Sequence, residues 1–167
     1  MDEYLKNKIN SAALEMRCDV IRMAFSAGNQ GAHIGGSLSL IELLATLYVG
    51  VVKIDKLHPY SEERDRVIMS KGHGAMAIYA ALNQVGYIDK DDLVKYKSND
   101  TFISAHPIRD VSKGLEFASG SLGQGLSLGV GVCFGLKMKN FKSNRVFVIQ
   151  GDGEIVEGSV WESAACA

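Results

Sequence analysis

Residues able to do chemistry gather in glycine-rich stretches of this 167-residue sequence, and the densest is Gly151-Asp152-Gly153. It halts the β-branched and aromatic run Val146–Ile149 and is followed by Glu154, Glu157 and Glu162. A carboxylate between two glycines at a strand's carboxyl end lets backbone approach an anion while the carboxylate holds a hard cation. Diphosphate with Mg²⁺ or Ca²⁺ suits that arrangement; the competing reading is a tight strand-to-helix turn in which Asp152 caps a helix. Glu157 and Glu162 stand about 140° apart around a helix, so pattern alone makes them a solvated acidic first turn. Three histidines occupy small-residue loops: His33 in Gly31-Ala32-His33-Ile34-Gly35-Gly36, His73 in Lys71-Gly72-His73-Gly74, and His106 in Ser104-Ala105-His106-Pro107. Imidazole suits proton transfer near neutral pH and donation to phosphate or sugar oxygens. Each histidine alone fits a surface or capping role, but loops converging on one sheet edge would give them a shared site. Metal binding by the three is the weaker alternative, because no histidine or carboxylate spacing typical of ligands is present. His58, in a polar segment, reads as solvated.

The elements that must position these groups follow from periodicity. Residues 3–26 carry apolar positions at helical spacing and stop at Ala27-Gly28-Asn29. After a loop at 31–36, Ser39 and Glu42 form a capping box for a second helix, apolar on most sides, to about residue 49. Residues 53–65 read as a polar excursion over the surface. Arg66–Met69 is a short strand, Ser70 to Gly74 lies at its carboxyl end, and a helix over 75–85 follows. Asp89 caps a short helix to residue 96, and 99–119 is loop. Ser119-Gly120-Ser121-Leu122-Gly123-Gln124-Gly125 opens a long helix to about residue 139. Gly125, Gly129, Gly131 and Gly135 run through it; each costs up to about 1 kcal/mol against alanine, so the helix is expected at a buried interface. A basic connection over 137–145 leads to the strand Val146–Ile149, expected to be buried on both faces, with Trp161 beyond it as a packing anchor. The order predicts an α/β fold, a parallel sheet with helices on both faces, in one domain over 1–167.

Composition removes several function classes. Hydrophobic residues are 47% and charged residues 22%, and a net charge of −1 gives no electrostatic case for nucleic acid or an anionic membrane. The charged start is unlike a signal peptide, and no run of about 18 apolar residues is expected to span a membrane. Cys18, Cys133 and Cys166 are dispersed without a Cys-x-x-Cys pair, which predicts reduced thiols and a cytoplasmic protein.

Taken together, four motifs resemble the amino-terminal half of transketolase, and in particular the separate amino-terminal subunit of transketolases split over two chains. Ala32 to Ser39 is similar to the family's Gly-His-Pro-Gly-Gly-Ser loop, and Asp65 to Gly74 to its Asp-Arg-(apolar)-Ser-x-Gly-His-Gly segment. Ser119 to Gly125 resembles its Gly-Pro-Leu-Gly-Gln-Gly loop, and Gly151-Asp152-Gly153 the opening of its diphosphate motif. The resemblance implies thiamine diphosphate with a divalent ion, Mg²⁺ or Ca²⁺/Mn²⁺, in the diphosphate-binding half of that fold, incomplete at its carboxyl end. Asp152 would ligate the metal. His73, Gly120, Leu122, Gly123, Gly151, Gly153 and Glu154 would bind the cofactor. His33 and His106 would face the reacting carbons and sugar hydroxyls, and Glu157 and Glu162 match glutamates that lie between the two active sites of a dimer. The implied reaction moves a two-carbon ketol unit from a ketose phosphate to an aldose phosphate.

The family's diphosphate motif closes on an Asn pair further along than Ala167. The second metal-ligand segment and the pyrimidine-binding half, with its activating glutamate, are therefore expected outside this chain. The resemblance thus implies a carboxyl-terminal transketolase partner in a homo- or hetero-oligomer, and an isolated chain that does not turn over substrate. Two alternatives stay open: another transketolase-like enzyme such as 1-deoxyxylulose-5-phosphate synthase, and a degenerate chain kept as an interaction protein. Ser-Lys-Gly-His-Gly and Ser-Ala-His-Pro favour transketolase.

Overall fold

The computed structural model describes residues 2–141 and 143–167, so Lys142 of the basic connection lies outside the described residues. Internal packing divides the chain into two interleaved compact units, Met1–Val52 with His73–Ala105 and Lys53–Gly72 with His106–Ala167.

In the first unit, Asp2 caps helix α1 (Glu3–Ser26) by accepting the Tyr4 amide at 3.3 Å. Ile9, Ala12, Ala13, Met16, Val20 and Met23 recur at helical spacing and are buried, which commits one face of α1 to the core. Next come α2 (Ile34–Leu38), α3 (Ile41–Thr46) and a π-helical turn over Leu47–Val51. The loop expected at 31–36 is therefore helical from Ile34, and the capping box at Ser39 does not form. With a helix already begun at Ile34, Ser39 sits in helical backbone and its hydroxyl donates to the Gly36 carbonyl at 3.1 Å, while Glu42 pairs with Arg17. The second expectation to fall is that of no long apolar run. The helical stretch Ile34–Val51 is 18 residues with mean hydropathy 1.7, long and apolar enough by length and composition to cross a membrane. Core helices of soluble proteins pass the same test, and here Leu40, Ile41, Leu44, Ala45, Leu47 and Tyr48 are buried. Helix α4 (Ala75–Gln84) packs on α1 and α3 and buries every residue from Ala75 to Leu82. Helix α5 (Lys90–Leu93) is shorter than expected, and Asp89 precedes it without a side-chain capping bond.

The second unit holds β1 (Arg66–Met69) and β2 (Val146–Ile149), paired in parallel with Arg66 opposite Val146 and Met69 opposite Ile149. Helices α6 (Gln124–Met138) and α7 (Gly158–Cys166) complete it. Before β1 the excursion turns inward at Arg64 and Asp65, which are 5% and 2% exposed. The Asp65 carboxylate accepts the amides of Lys53 (2.9 Å) and Arg145 (2.8 Å) and the Arg145 guanidinium, tying the starts of the two strands together.

Three expectations change in this unit. Val146 to Val148 are half-buried rather than enclosed on both faces, because among the described residues β2 pairs only with β1 and α6 covers one face. Of the helix glycines, Gly125 and Gly129 are buried while Gly131 and Gly135 have nothing within 4 Å of a notional Cβ. Trp161 is 64% exposed and donates its indole N–H to the Ile155 carbonyl at 2.9 Å, so it is not a packing anchor.

Candidate functional site

In the second unit the parallel strands feed their carboxyl ends into polar loops that hold candidate residues, and in the first unit the candidates lie in the segments just before helices. In the first unit, His33 occupies the position just before α2 and His73 begins the segment before α4. Their rings meet edge to face with centroids 5.9 Å apart. The contact needs glycine beneath it: a Cβ on Gly36 would stand 2.8 Å from Cδ2 of His73. Lys97 fixes the approach to His33, since its ammonium donates to the carbonyls of Gln30 (2.8 Å) and Gly31 (3.0 Å) from a left-handed backbone at φ 60°. Gln30, Ala32, His33, Lys97 and Ala105 line a cavity of about 270 Å³. Two histidines singled out from sequence are thus brought together, with Gly36 of the His33 motif between them, while Lys97 carried no signal specific enough to find it.

In the second unit, His106 lies against the turn after β1. A Cβ on Gly72 would stand 2.8 Å from His106 Cδ2 and 2.8 Å from the Gly120 amide nitrogen, and one on Gly120 would stand 3.7 Å from the same ring carbon. Beside this close packing, Ser70, Phe117, Ser119, Gly120, Gln124 and Gly125 line a cavity of about 210 Å³ at the carboxyl end of β1. Gly125 lets α6 start directly on the strand end, where its amide donates to Ser70 Oγ at 3.1 Å.

The acidic residues after β2 divide sharply. Glu154 is 2% exposed: Oε1 accepts the Ser70 hydroxyl and the Gly123 amide (2.9 Å), and Oε2 accepts the Gly151 amide (3.0 Å). Asp152 is exposed at the start of a short 3₁₀ segment, Gly153–Val156, and makes no capping bond, so the helix-cap alternative is not what this carboxylate does. Glu157 and Glu162 are exposed, the first just before α7 and the second in its body, so the first turn of α7 is not the acidic one the pattern suggests. The Ser159 hydroxyl and the Glu157 side chain stand beside Gly123, whose φ of 82° and lack of Cβ permit the approach; a Cβ there would be 2.5 Å from Ser159 Oγ and 2.9 Å from Glu157 Cβ. Leu122 is 38% exposed. Sequence reasoning missed Gly72 and Ser70 as parts of this constellation, although their place at a strand's carboxyl end was a usable signal.

A diphosphate and a divalent ion fit the second unit in part. The exposed Gly120 and Gly153 offer backbone without side-chain hindrance, and Asp152 offers one hard oxygen. Mg²⁺ commonly takes one or two protein carboxylates and completes its shell with phosphate oxygens and water. Among the described residues no group of three or more His, Cys, Asp or Glu could hold a metal alone, so Asp152 would need such additional ligands. The Gly123 and Gly151 amides are engaged by Glu154, so neither N–H is offered to a ligand, and Gly123 is itself buried against Glu157 and Ser159.

Comparison with known proteins gives the same direction. Residues 10–167 match the family described as transketolase, thiamine diphosphate binding domain. The chain is 40% identical over 137 residues to an apulose-4-phosphate transketolase subunit from Actinobacillus succinogenes, covering 82% of this chain and 49% of that protein. It is 42% identical over 135 residues to 6-deoxy-6-sulfo-D-fructose transketolase subunit SqwG of a Clostridium species, covering 81% and 49%. The chain thus spans about half the length of these relatives. Among solved structures, transketolase from Leishmania mexicana superposes with a TM-score of 0.84 at 28% identity, over 95% of this chain and 25% of that one.

Proposed function

This chain belongs to the transketolase thiamine diphosphate-binding domain family, and on that premise we propose that it forms the amino-terminal part of a split transketolase. In this reading the assembled enzyme transfers a two-carbon ketol unit from a ketose phosphate to an aldose phosphate, and a carboxyl-terminal partner subunit completes the site. The observation that carries the reading is the Gly72, His106 and Gly120 packing, which sets an imidazole against exposed glycine backbone at the carboxyl end of β1.

Thiamine diphosphate, when bound, supplies the carbanion-stabilising chemistry. This chain orients and neutralises: Asp152 gives a hard oxygen to Mg²⁺, while Gly120 and Gly153 keep side chains away from the diphosphate. His106 and His33 hold and pass protons at sugar hydroxyls, and His73 donates to phosphate oxygen, as the matched motifs imply. Glu157, just before α7, and Glu162, within it, are exposed, which supports the reading that they meet a second protein chain.

The test is to purify the full chain alone and with its carboxyl-terminal partner, add thiamine diphosphate and Mg²⁺, and follow ketol transfer with ketose phosphate or pyruvate as donor. Transfer from ketose phosphate by the pair, and none by the chain alone, is expected. Turnover by the chain alone would remove the partner requirement, and use of pyruvate in place of ketose phosphate would overturn the reaction.

A further inference from the structure

We propose that Glu154 is a positioning residue for the diphosphate cradle rather than a ligand of the cofactor. The inference rests on the cofactor reading above and concerns how that half-site keeps its shape. Three loops meet at this carboxylate: the turn after β1 through Ser70, the approach to α6 through Gly123, and the turn after β2 through Gly151. Both oxygens are occupied and the side chain is 2% exposed, so Glu154 presents no acceptor to a ligand, and an anionic group there would repel a diphosphate in direct contact.

Its contribution is geometric. Ser70 is 84 positions away in sequence and Gly123 is 31 positions away, so no local turn chemistry holds these segments in register. A buried carboxylate that accepts three donors does so with charge-assisted bonds, stronger than neutral ones. Ser70 extends the link by accepting the Gly125 amide, so the first turn of α6 is set by the same network. The exposed Asp152 lies between Gly151 and Gly153, one residue from an amide that Glu154 holds. The orientation of the proposed metal ligand therefore depends on a residue that does not touch the metal, and loss of such outer partners costs about 10- to 100-fold in metal affinity.

The experiment compares wild type, Glu154→Gln and Val160→Ala in the full chain. Val160 is a buried residue of α7 outside the network and serves as a control for general loss of packing. Amide hydrogen exchange reads the lock without ligand, and calorimetric titration of the chain paired with its carboxyl-terminal partner, using thiamine diphosphate and Mg²⁺, reads its purpose. In wild type, slow exchange is expected at Gly123 and Gly151. In Glu154→Gln, Gly151 loses that protection because an amide NH₂ cannot accept from it, and cofactor affinity falls about 10- to 100-fold. Val160→Ala is expected to lower the urea midpoint and leave the affinity unchanged. Equal affinity in Glu154→Gln and wild type overturns the proposal, as does an equal loss in Val160→Ala, which would make the effect general destabilisation. Slow exchange with no wild-type binding would instead sink the cofactor reading, and the positioning role with it, while leaving the lock itself demonstrated.

Discussion

Gly72 and His106 approach so closely that a Cβ on the first would stand 2.8 Å from Cδ2 of the second. An imidazole could swing aside, but the same Cβ would also stand 2.8 Å from the backbone nitrogen and 2.9 Å from the Cα of Gly120, which cannot move without displacing the loop. Gly72→Ala is therefore expected to cost about 1–3 kcal/mol, the usual range for overpacking, and to weaken thiamine diphosphate binding more than a core substitution of equal cost. Urea unfolding and calorimetry on the same preparation check both; an unchanged urea midpoint would show that the turn is not packed as described.

Arg64 and Glu116, 5% and 9% exposed, form a buried ion pair in the second unit, with the Arg64 guanidinium also donating to the carbonyls of Pro59 (2.6 Å) and Asp65 (3.1 Å). Removing one partner strands the other charge away from water. Glu116→Ala is expected to cost about 3–5 kcal/mol, while the double variant Arg64→Met with Glu116→Leu restores part of it, because the apolar pair has no charge to desolvate although Arg66, 3.8 Å from Glu116, still loses its carboxylate. Denaturation curves that place the double variant at or below the single one would contradict this account.

How much of this was legible beforehand depends on the range over which each feature is decided. Helix α1 and the strands at Arg66–Met69 and Val146–Ile149 announce themselves within a few residues, by period or by an apolar run that glycine stops. Helix α2 did not, because Gly35 and Gly36 have poor helix propensity; packing overrides it, since only glycine at 36 leaves room for the His73 ring. Asp152 and the histidines stood out as candidates because their loops pair residues capable of chemistry with glycine. The division between an exposed Asp152 and a buried Glu154 was not legible, since two carboxylates of one short segment are told apart only by Ser70 and Gly123, far away in sequence.

Asp65 makes stability depend on pH with a sign that can be worked out. Burial disfavours its charge, but hydrogen bonds from the Arg145 side chain and from the Lys53 and Arg145 amides outweigh that and hold the carboxyl below its ordinary 3.8. A folded value lower than the unfolded one stabilises the fold fully above 3.8, and the contribution disappears as pH falls through the folded value. Arg145→Ala is expected to cost about 1 kcal/mol at pH 7, less than a fully buried charged bond because Arg145 is half in solvent, and progressively less below about pH 4. Thermal midpoints of both proteins at neutral and acidic pH check it. A penalty that does not shrink on acidification would mean that the carboxylate charge is not what Arg145 serves.

The four glycines of α6 separate into two pairs that substitution should distinguish. A Cβ on Gly125 would fall 2.3 Å from Ser70 Cβ and 2.8 Å from Ser70 Cα, and one on Gly129 would fall 2.5 Å from Val148 Cγ2. Alanine at 125 must push the helix start off β1 and break the Ser70 link, whereas at 129 a valine methyl has to give way. Gly125→Ala is therefore expected to be the more damaging, with both in the overpacking range of about 1–3 kcal/mol. Gly131 and Gly135 meet nothing within 4 Å, so there alanine only restricts the unfolded backbone and improves helix propensity, raising stability by about 0.5–1 kcal/mol at each position. The contrast also bears on assembly. If a second protein chain packs on the open side of α6, Gly131→Ala and Gly135→Ala will stabilise the isolated chain yet weaken its association. Comparing urea midpoints of the chain alone with sedimentation of the partnered complex separates the two effects, and a loss of stability in the isolated chain would show that the outer glycines are packed after all.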